Sequence, residues 1–222
     1  MSHIVQKLSD QSFIDLDTLS VEELDRLHFD EESWCAREAR LLRPFSIDRN
    51  GLLAKGYSFV NTIMDVKAFK LKQNITSRGA SKKIIPLLKK LIYQLKNKYH
   101  NNSVNFFEAG IGKGMIISSL ANEVGVNIYG CDFCIEKEIK NNTDFTLFEG
   151  TIIDGLNKTP DSSIDLFYWD NVLEHIPEDE VDETIKLIYQ KVRRHGFIVT
   201  VVPNPLLGPH DITKLFYPKG TK

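Results

Sequence analysis

The sequence predicts an α/β fold: a mostly parallel sheet with helices on both faces, preceded by a helical N-terminal extension. Three observations carry this. From Val104 onward, short apolar runs alternate with stretches of helical periodicity, the pattern of parallel strands joined by crossover helices. The first run, Val104 to Ala109, leads into three glycines at alternate positions, Gly110, Gly112 and Gly114. Ahead of it lie an acidic segment over 1–35 and a basic one over 66–100, and both carry helix signals.

The bulk properties bound the answer. A chain of 222 residues fits one domain with an extension, or two small ones. Its hydrophobic fraction of 42% and charged fraction of 26% are those of an ordinary soluble protein. A net charge of −2 argues against a polyanion binder. No apolar run approaches the ~18 residues of a membrane span, and the first residues show no signal-peptide pattern. Three cysteines make no disulfide framework. These features predict a reduced, soluble, cytoplasmic protein with no membrane partner.

In chain order, Ser20 and Glu23 have the spacing of a capping box, so a helix is expected from Val21. A second is expected over Glu31 to Leu42, stopped by Pro44. Residues 66–100 contain lysines and one arginine but no acid. Within them Ile84, Leu87, Leu88, Leu91, Ile92 and Leu95 recur at helical spacing, giving an amphipathic helix up to Tyr99 with Pro86 in its first turns. Such a basic face can bind nucleic acid or an anionic membrane. Without interleaved aromatics the better reading is a helix packed on the sheet, its lysines in water. Strands are expected near 104–109, 126–131, 145–149, 164–169 and 196–202. Helices should fill 114–123, 135–140 and 178–194. Pro177 opens the last of these, acids meet its start, and Arg193, Arg194 and His195 meet its end.

Chemistry concentrates where these strands end. A glycine turn between strand and helix lets a ligand approach the main chain closely. The dinucleotide fingerprint is G-x-G-x-x-G; here the third glycine comes one residue early and Met115 stands in its place. Glu108 sits two positions before the first glycine. Acid-x-G-x-G-x-G resembles the first motif of the class I S-adenosylmethionine (SAM)-dependent methyltransferases. Asp132 ends the second strand, where a carboxylate can accept both hydroxyls of a ribose, and Phe133 offers an apolar face to an adenine. Cys131 and Cys134 read as C-D-F-C, which is superficially a redox motif. Structural thiols fit better, because Asp132 already has a role and no second pair completes a zinc site.

The stretch Asp161-Ser-Ser-Ile-Asp-Leu-Phe-Tyr-Trp-Asp-Asn-Val-Leu-Glu-His-Ile-Pro177 also resembles the fourth-strand motif of that family, and Gly196 to Pro205 resembles its fifth. The resemblance covers about residues 104–205 and none of 1–75. It implies a Rossmann-like, class I methyltransferase fold over 76–222, with 1–75 as a helical extension or cap. It also implies SAM as cofactor, S-adenosylhomocysteine as product, and methyl transfer to an unidentified acceptor, a small molecule in our reading. By position, Glu108, Gly110 and Gly112 would flank the methionine of SAM, Asp132 the ribose and Phe133 the adenine. Thr151 and Ile152 would stand at the adenine edge, where the family often has an acid at Thr151. Asp170 and Asn171 would lie below the sulfonium, and Arg78 would face the cofactor's carboxylate. His175 and His210 are the candidate bases, histidine being suited to proton transfer near neutral pH; no metal site is expected. Two alternatives stay open: a SAM-binding regulatory or partner subunit without catalysis, and an RNA or DNA methyltransferase using the basic segment.

The family continues past its fifth strand with a helix and two further strands. The residues after Val202 are few and rich in proline. We therefore expect either a C-terminal truncation or a segment, oligomer or partner subunit that covers strand five.

Overall fold

The computed structural model describes residues 4–71, 80–100 and 103–203, with 80–82 as backbone only. These residues form two units, each taken by itself below.

In the first, β1 (Val5–Lys7) and β2 (Phe13–Asp15) form an antiparallel hairpin, and a helical turn at Leu16–Thr18 leads into α1 (Val21–Leu41) and α2 (Ile47–Lys70). The capping box is present: Ser20 Oγ accepts from the Glu23 amide at 3.2 Å, and Glu23 Oε2 accepts from the Ser20 amide at 2.7 Å. Where the sequence predicted two helices there is one. The Asp-Glu-Glu stretch at 30–32 contains no breaker, and the chain turns extended only at Leu42, ahead of Pro44. Ser46 caps α2, its Oγ accepting from the Arg49 amide at 3.2 Å. Arg49 itself is buried and donates from Nε to the Ala39 carbonyl at 2.7 Å, placing a cation at the negative end of α1. Leu16, Leu24, Phe59, Ile63 and Val66 form the core of this unit.

The second unit begins with α3 (Ala80–Tyr99) and continues β3 (Val104–Ala109), α4 (Met115–Leu120), β4 (Val126–Asp132), α5 (Lys137–Lys140), β5 (Phe145–Glu149), α6 (Ile152–Asn157), β6 (Ile164–Asp170), α7 (Glu178–Lys191) and β7 (Val192–Val201). Its five strands are all parallel, in the order β5-β4-β3-β6-β7. The order reverses direction at β3, so the glycine turn after β3 lies at the crevice where open α/β sheets receive ligands. One face of the sheet packs Phe106, Ile128, Leu166 and Tyr168 against Leu88, Ile92 and Leu95 of α3 and Ile116 and Ile117 of α4. The other packs Phe107, Phe167 and Trp169 against Leu156 of α6 and Ile188 of α7. Strands buried on both faces explain why β3 and β6 read as nearly continuous apolar runs.

Three lysines of α3 have contacts within their own unit. Lys89 pairs with Glu123 at 2.7 Å, Lys96 donates to the Val124 carbonyl, and Lys98 lies over the Tyr99 ring. The apolar face of α3, with Leu88, Ile92 and Leu95, is buried on the sheet, as the packed-helix reading expects.

The boundary between α7 and β7 departs most from expectation. α7 stops at Lys191, not near His195, and the chain passes directly into β7, where Val192 pairs with Ile164 and Phe197 with Leu166 across an irregularity in register. Arg193 and Arg194 therefore serve the sheet and not a helix end. Arg193 Nη1 donates to Asp165 Oδ1 at 2.5 Å and its guanidinium stacks 3.8 Å from the Tyr99 ring; the Arg194 carbonyl accepts from Tyr99 Oη at 3.0 Å. β7 is an edge strand among the described residues, with Ile198 half exposed. The expectation about the segment after it falls on residues 204–222, outside the described residues, as do Arg78 and His210.

Candidate functional site

Four neighbouring strands each bring an acid to the carboxyl end of the sheet: Glu149 ends β5, Asp132 ends β4, Glu108 stands one residue before the end of β3, and Asp170 ends β6. Strand pairing sets Asp132 opposite Glu149 and Glu108 opposite Tyr168.

The turn after β3 is shaped by its glycines. Gly110, Gly112 and Gly114 all have positive φ, of 76°, 53° and 68°. At Gly110 an added Cβ would stand 2.4 Å from Val172 Cγ2, so that glycine is required by packing as well as by backbone. At Gly112 an added Cβ would meet nothing within 4 Å. The space beside Gly112 is open, and only its backbone calls for glycine.

Asp132 fixes this turn from β4. Its Oδ2 accepts from the Gly112 amide at 2.8 Å and its Oδ1 from the Cys134 amide at 3.0 Å. Burial pushes its carboxyl above the ordinary range, against the pull of the Gly112, Cys134 and Phe133 amides. A carboxylate held by these amides keeps lone pairs for further donors.

Glu108 is buried more deeply, at 4% exposed. Its Oε2 has no hydrogen-bond partner among the described residues. Burial first, then the charges of Asp132 and Asp170, push its carboxyl well above the ordinary range; the Ile117 amide pulls the other way. Tyr168 is in the same group. Its hydroxyl donates to Asp170 Oδ2 at 3.1 Å, and burial with the charges of Asp170 and Glu108 raises it above a normal phenol. The Asn171 side-chain amide donates to Asp170 Oδ1 at 2.9 Å, and Asn171 adopts φ +53° with its backbone amide on the Val201 carbonyl.

Other sequence-predicted residues sit differently. Thr151 is the N-cap of α6; its Oγ1 accepts from the Asp154 amide at 3.0 Å and donates to Asp154 Oδ2 at 2.7 Å. Its hydroxyl proton is thus engaged within the cap. Ile152 packs on the Phe107 side of the core, and Phe133 is half-buried in the turn after β4. His175 closes the helical turn Leu173–His175 directly after β6, half-buried. Cys131 is a core residue lying against the backbone of Gly155, its thiol raised by burial, and all three cysteines are free. Among the described residues no cluster of His, Cys, Asp or Glu has metal-binding geometry, and no helix is long and apolar enough to cross a membrane.

Two members of the site were absent from the sequence reading. Glu149 carried a usable signal, an acid closing a strand before Gly150, the same grammar as Asp132. Tyr168 carried none, because within an apolar strand it reads as core.

Residues 107–200 match the family described as a methyltransferase domain. No curated protein matches the chain. Among solved structures it is similar to a SAM-dependent methyltransferase from Archaeoglobus fulgidus, at 20% identity and a TM-score of 0.44 over 62% of this chain and 57% of that one. It is also similar to phosphoethanolamine N-methyltransferase 2 from Haemonchus contortus, at 15% identity and a TM-score of 0.47 over 64% and 33%, and to monomeric WbdD, at 20% and 0.47 over 58% and 32%. The chain thus spans little more than half of the first and about a third of the other two. The domain match covers residues 107–200, and the parallel strand order with its acid-led glycine turn is that of a Rossmann-like methyltransferase fold.

Proposed function

We propose that this chain transfers the methyl group of SAM to a small-molecule acceptor. The observation that carries the reading is the buried, unpartnered Oε2 of Glu108 within a row of strand-end acids. The acids of β4, β3 and β6 suit a ligand with a positive end better than the pyrophosphate of a dinucleotide, while Glu149 of β5 is ion-paired with Lys140. SAM, when bound, supplies an electrophilic methyl group on a cationic sulfur, together with an ammonium group.

In this reading the open space beside Gly112 lets the backbone close on the methionine, flanked by Glu108 and Gly110. Asp132, with lone pairs remaining beside the amides that hold it, takes the ribose hydroxyls. Phe133 faces the adenine, with Thr151 and Ile152 at its edge. Asp170 and Asn171 stand at the reacting end. His175 or His210 takes the proton from the acceptor, and the rest of the work is positioning.

The same acidity supports a small acceptor over a nucleic acid, whose phosphates it would repel. Calorimetric titration with SAM, followed by a screen for transfer of labelled methyl to small molecules and to RNA, tests the proposal. SAM binding with labelled small-molecule product is expected. Labelled RNA at low salt would redirect the acceptor class, and binding without any transfer would favour a regulatory subunit.

A further inference from the structure

This inference rests on the cofactor reading above and concerns Glu108. The groups that face it come from every element packed around it. β4 contributes Asp132; β6 contributes Asp170 and Tyr168, whose hydroxyl is held by Asp170. α4 contributes the Ile117 amide, and none of its residues Met115 to Leu120 has a titratable side chain. α3 lays Leu88, Ile92 and Leu95 on this face of the sheet. Lys113, in the glycine turn, is ion-paired with Glu136 at 2.6 Å. Among the described residues Glu108 thus faces two carboxylates and a phenol, with the Ile117 amide to hold a charge. An ionised carboxylate that is buried without a cation is costly, and a proton removes the cost.

We propose that Glu108 is a proton-linked specificity residue: neutral in the free protein, it ionises as the cationic end of the cofactor enters, so that the site selects for positive charge. The O–H bond of the carboxyl breaks, its electron pair stays on the oxygen, the proton leaves to bulk water, and the ligand's cation takes its place. Charge at the site is then nearly unchanged by binding, which keeps a deep carboxylate from destabilising the free protein. Affinity for SAM rises with pH up to the free-state pKa of Glu108 and levels above it.

The test is calorimetric titration of the full chain with SAM, across a pH series and in pairs of buffers with different ionisation enthalpies. The expected result is close to one proton released per SAM at the lower pH values, with affinity gaining up to tenfold per pH unit. Glu108→Gln should bind more weakly, by tenfold or more, with flat pH dependence and no proton release. Asp170→Asn keeps Glu108 but removes a neighbouring charge, so the rise in affinity should move to lower pH; it serves where Glu108→Gln does not fold. Buffer-independent heats and a flat profile in the parent would overturn the proposal and leave the cofactor reading standing. Proton release persisting in Glu108→Gln would overturn it in favour of Asp132. No SAM binding at any pH would sink both.

Discussion

Two buried carboxylates on adjacent strands of one sheet have opposite surroundings. Asp165, near the start of β6, is 3% exposed, and both of its oxygens are met: Arg193 Nη1 at 2.5 Å and the Asn105 amide at 2.8 Å. Glu108, near the end of β3, is 4% exposed and keeps one oxygen bare. Burial is equal, so burial alone does not distinguish a structural acid from a functional one. Satisfaction does. At the amino end the acid arrives with its cation and holds strands together; at the carboxyl end, among the described residues, one oxygen has no donor.

The contrast can be broken most forcefully at the paired end. Arg193→Ala leaves Asp165 buried without its cation and removes the stack on Tyr99, and should cost about 3 kcal/mol in urea unfolding. SAM affinity of the folded protein should not move. A loss below 1 kcal/mol would mean that the two ends do not differ as described.

At the other end the effect should fall on the ligand. Asp132→Ala should weaken SAM binding by about 1.5–3 kcal/mol, the range for a charge-assisted contact, read by calorimetry. If a folded variant bound SAM like the parent, the ribose assignment would be wrong.

The glycine turn sharpens the same division within a few residues. Gly110→Ala drives a methyl into Val172 at a positive φ, and should destabilise by about 2 kcal/mol. Gly112→Ala meets nothing and should cost about 1 kcal/mol, from its φ alone, while blocking the ligand. Thermal melts and SAM titration of both variants check this; equal melting losses would contradict the open space at Gly112.

The pH dependence of stability should separate the acids further. Glu108 is raised above its ordinary 4.5 in the folded protein, so it binds its proton more tightly folded than unfolded. Its contribution is full below about 4.5 and is lost as pH rises through the raised value. The free protein should lose melting temperature over that interval and Glu108→Gln should lose less; parallel curves would show that Glu108 is not raised. The smallest effect is expected at Lys89→Met. The Lys89–Glu123 pair is solvent-exposed and contributes about 0.5 kcal/mol or less, and a denaturant midpoint shifted by more would show a stronger tie between α3 and the sheet.

Much of the second unit was legible because its strands are apolar runs ending in glycines or acids. β3 and β5 fall on their expected residues, and β4 and β6 each extend one residue further, to Asp132 and Asp170. What was missed had weaker grammar. α2 carries Leu52, Phe59, Ile63, Val66 and Phe69 without one clean stripe, so no period betrays it. α6 begins with a cap that the sequence does spell, Thr151 followed three residues later by Asp154, yet Thr151 drew attention only as a ligand neighbour. The start of β7 was hidden because Val192 ends the helical period and begins the strand with no breaker between. The partners of Glu108 were visible one by one, but that its Oε2 would lack a donor depends on packing that no spacing encodes.

Tyr99 ends the first helix of the second unit, and its hydroxyl is held by the Arg194 carbonyl, 95 residues later in the chain, with Arg193 stacked on its ring. On a ribosome this means a wait. The helix emerges with its apolar stripe formed, but the strand that fastens its end has not been made. For that interval Leu88, Ile92 and Leu95 need a temporary cover, and the sheet cannot close by local steps alone. Such long-range closure slows folding and prolongs exposure. The unit is therefore expected to acquire its helices early and its fastening late, with Arg193 among the last residues to reach its place.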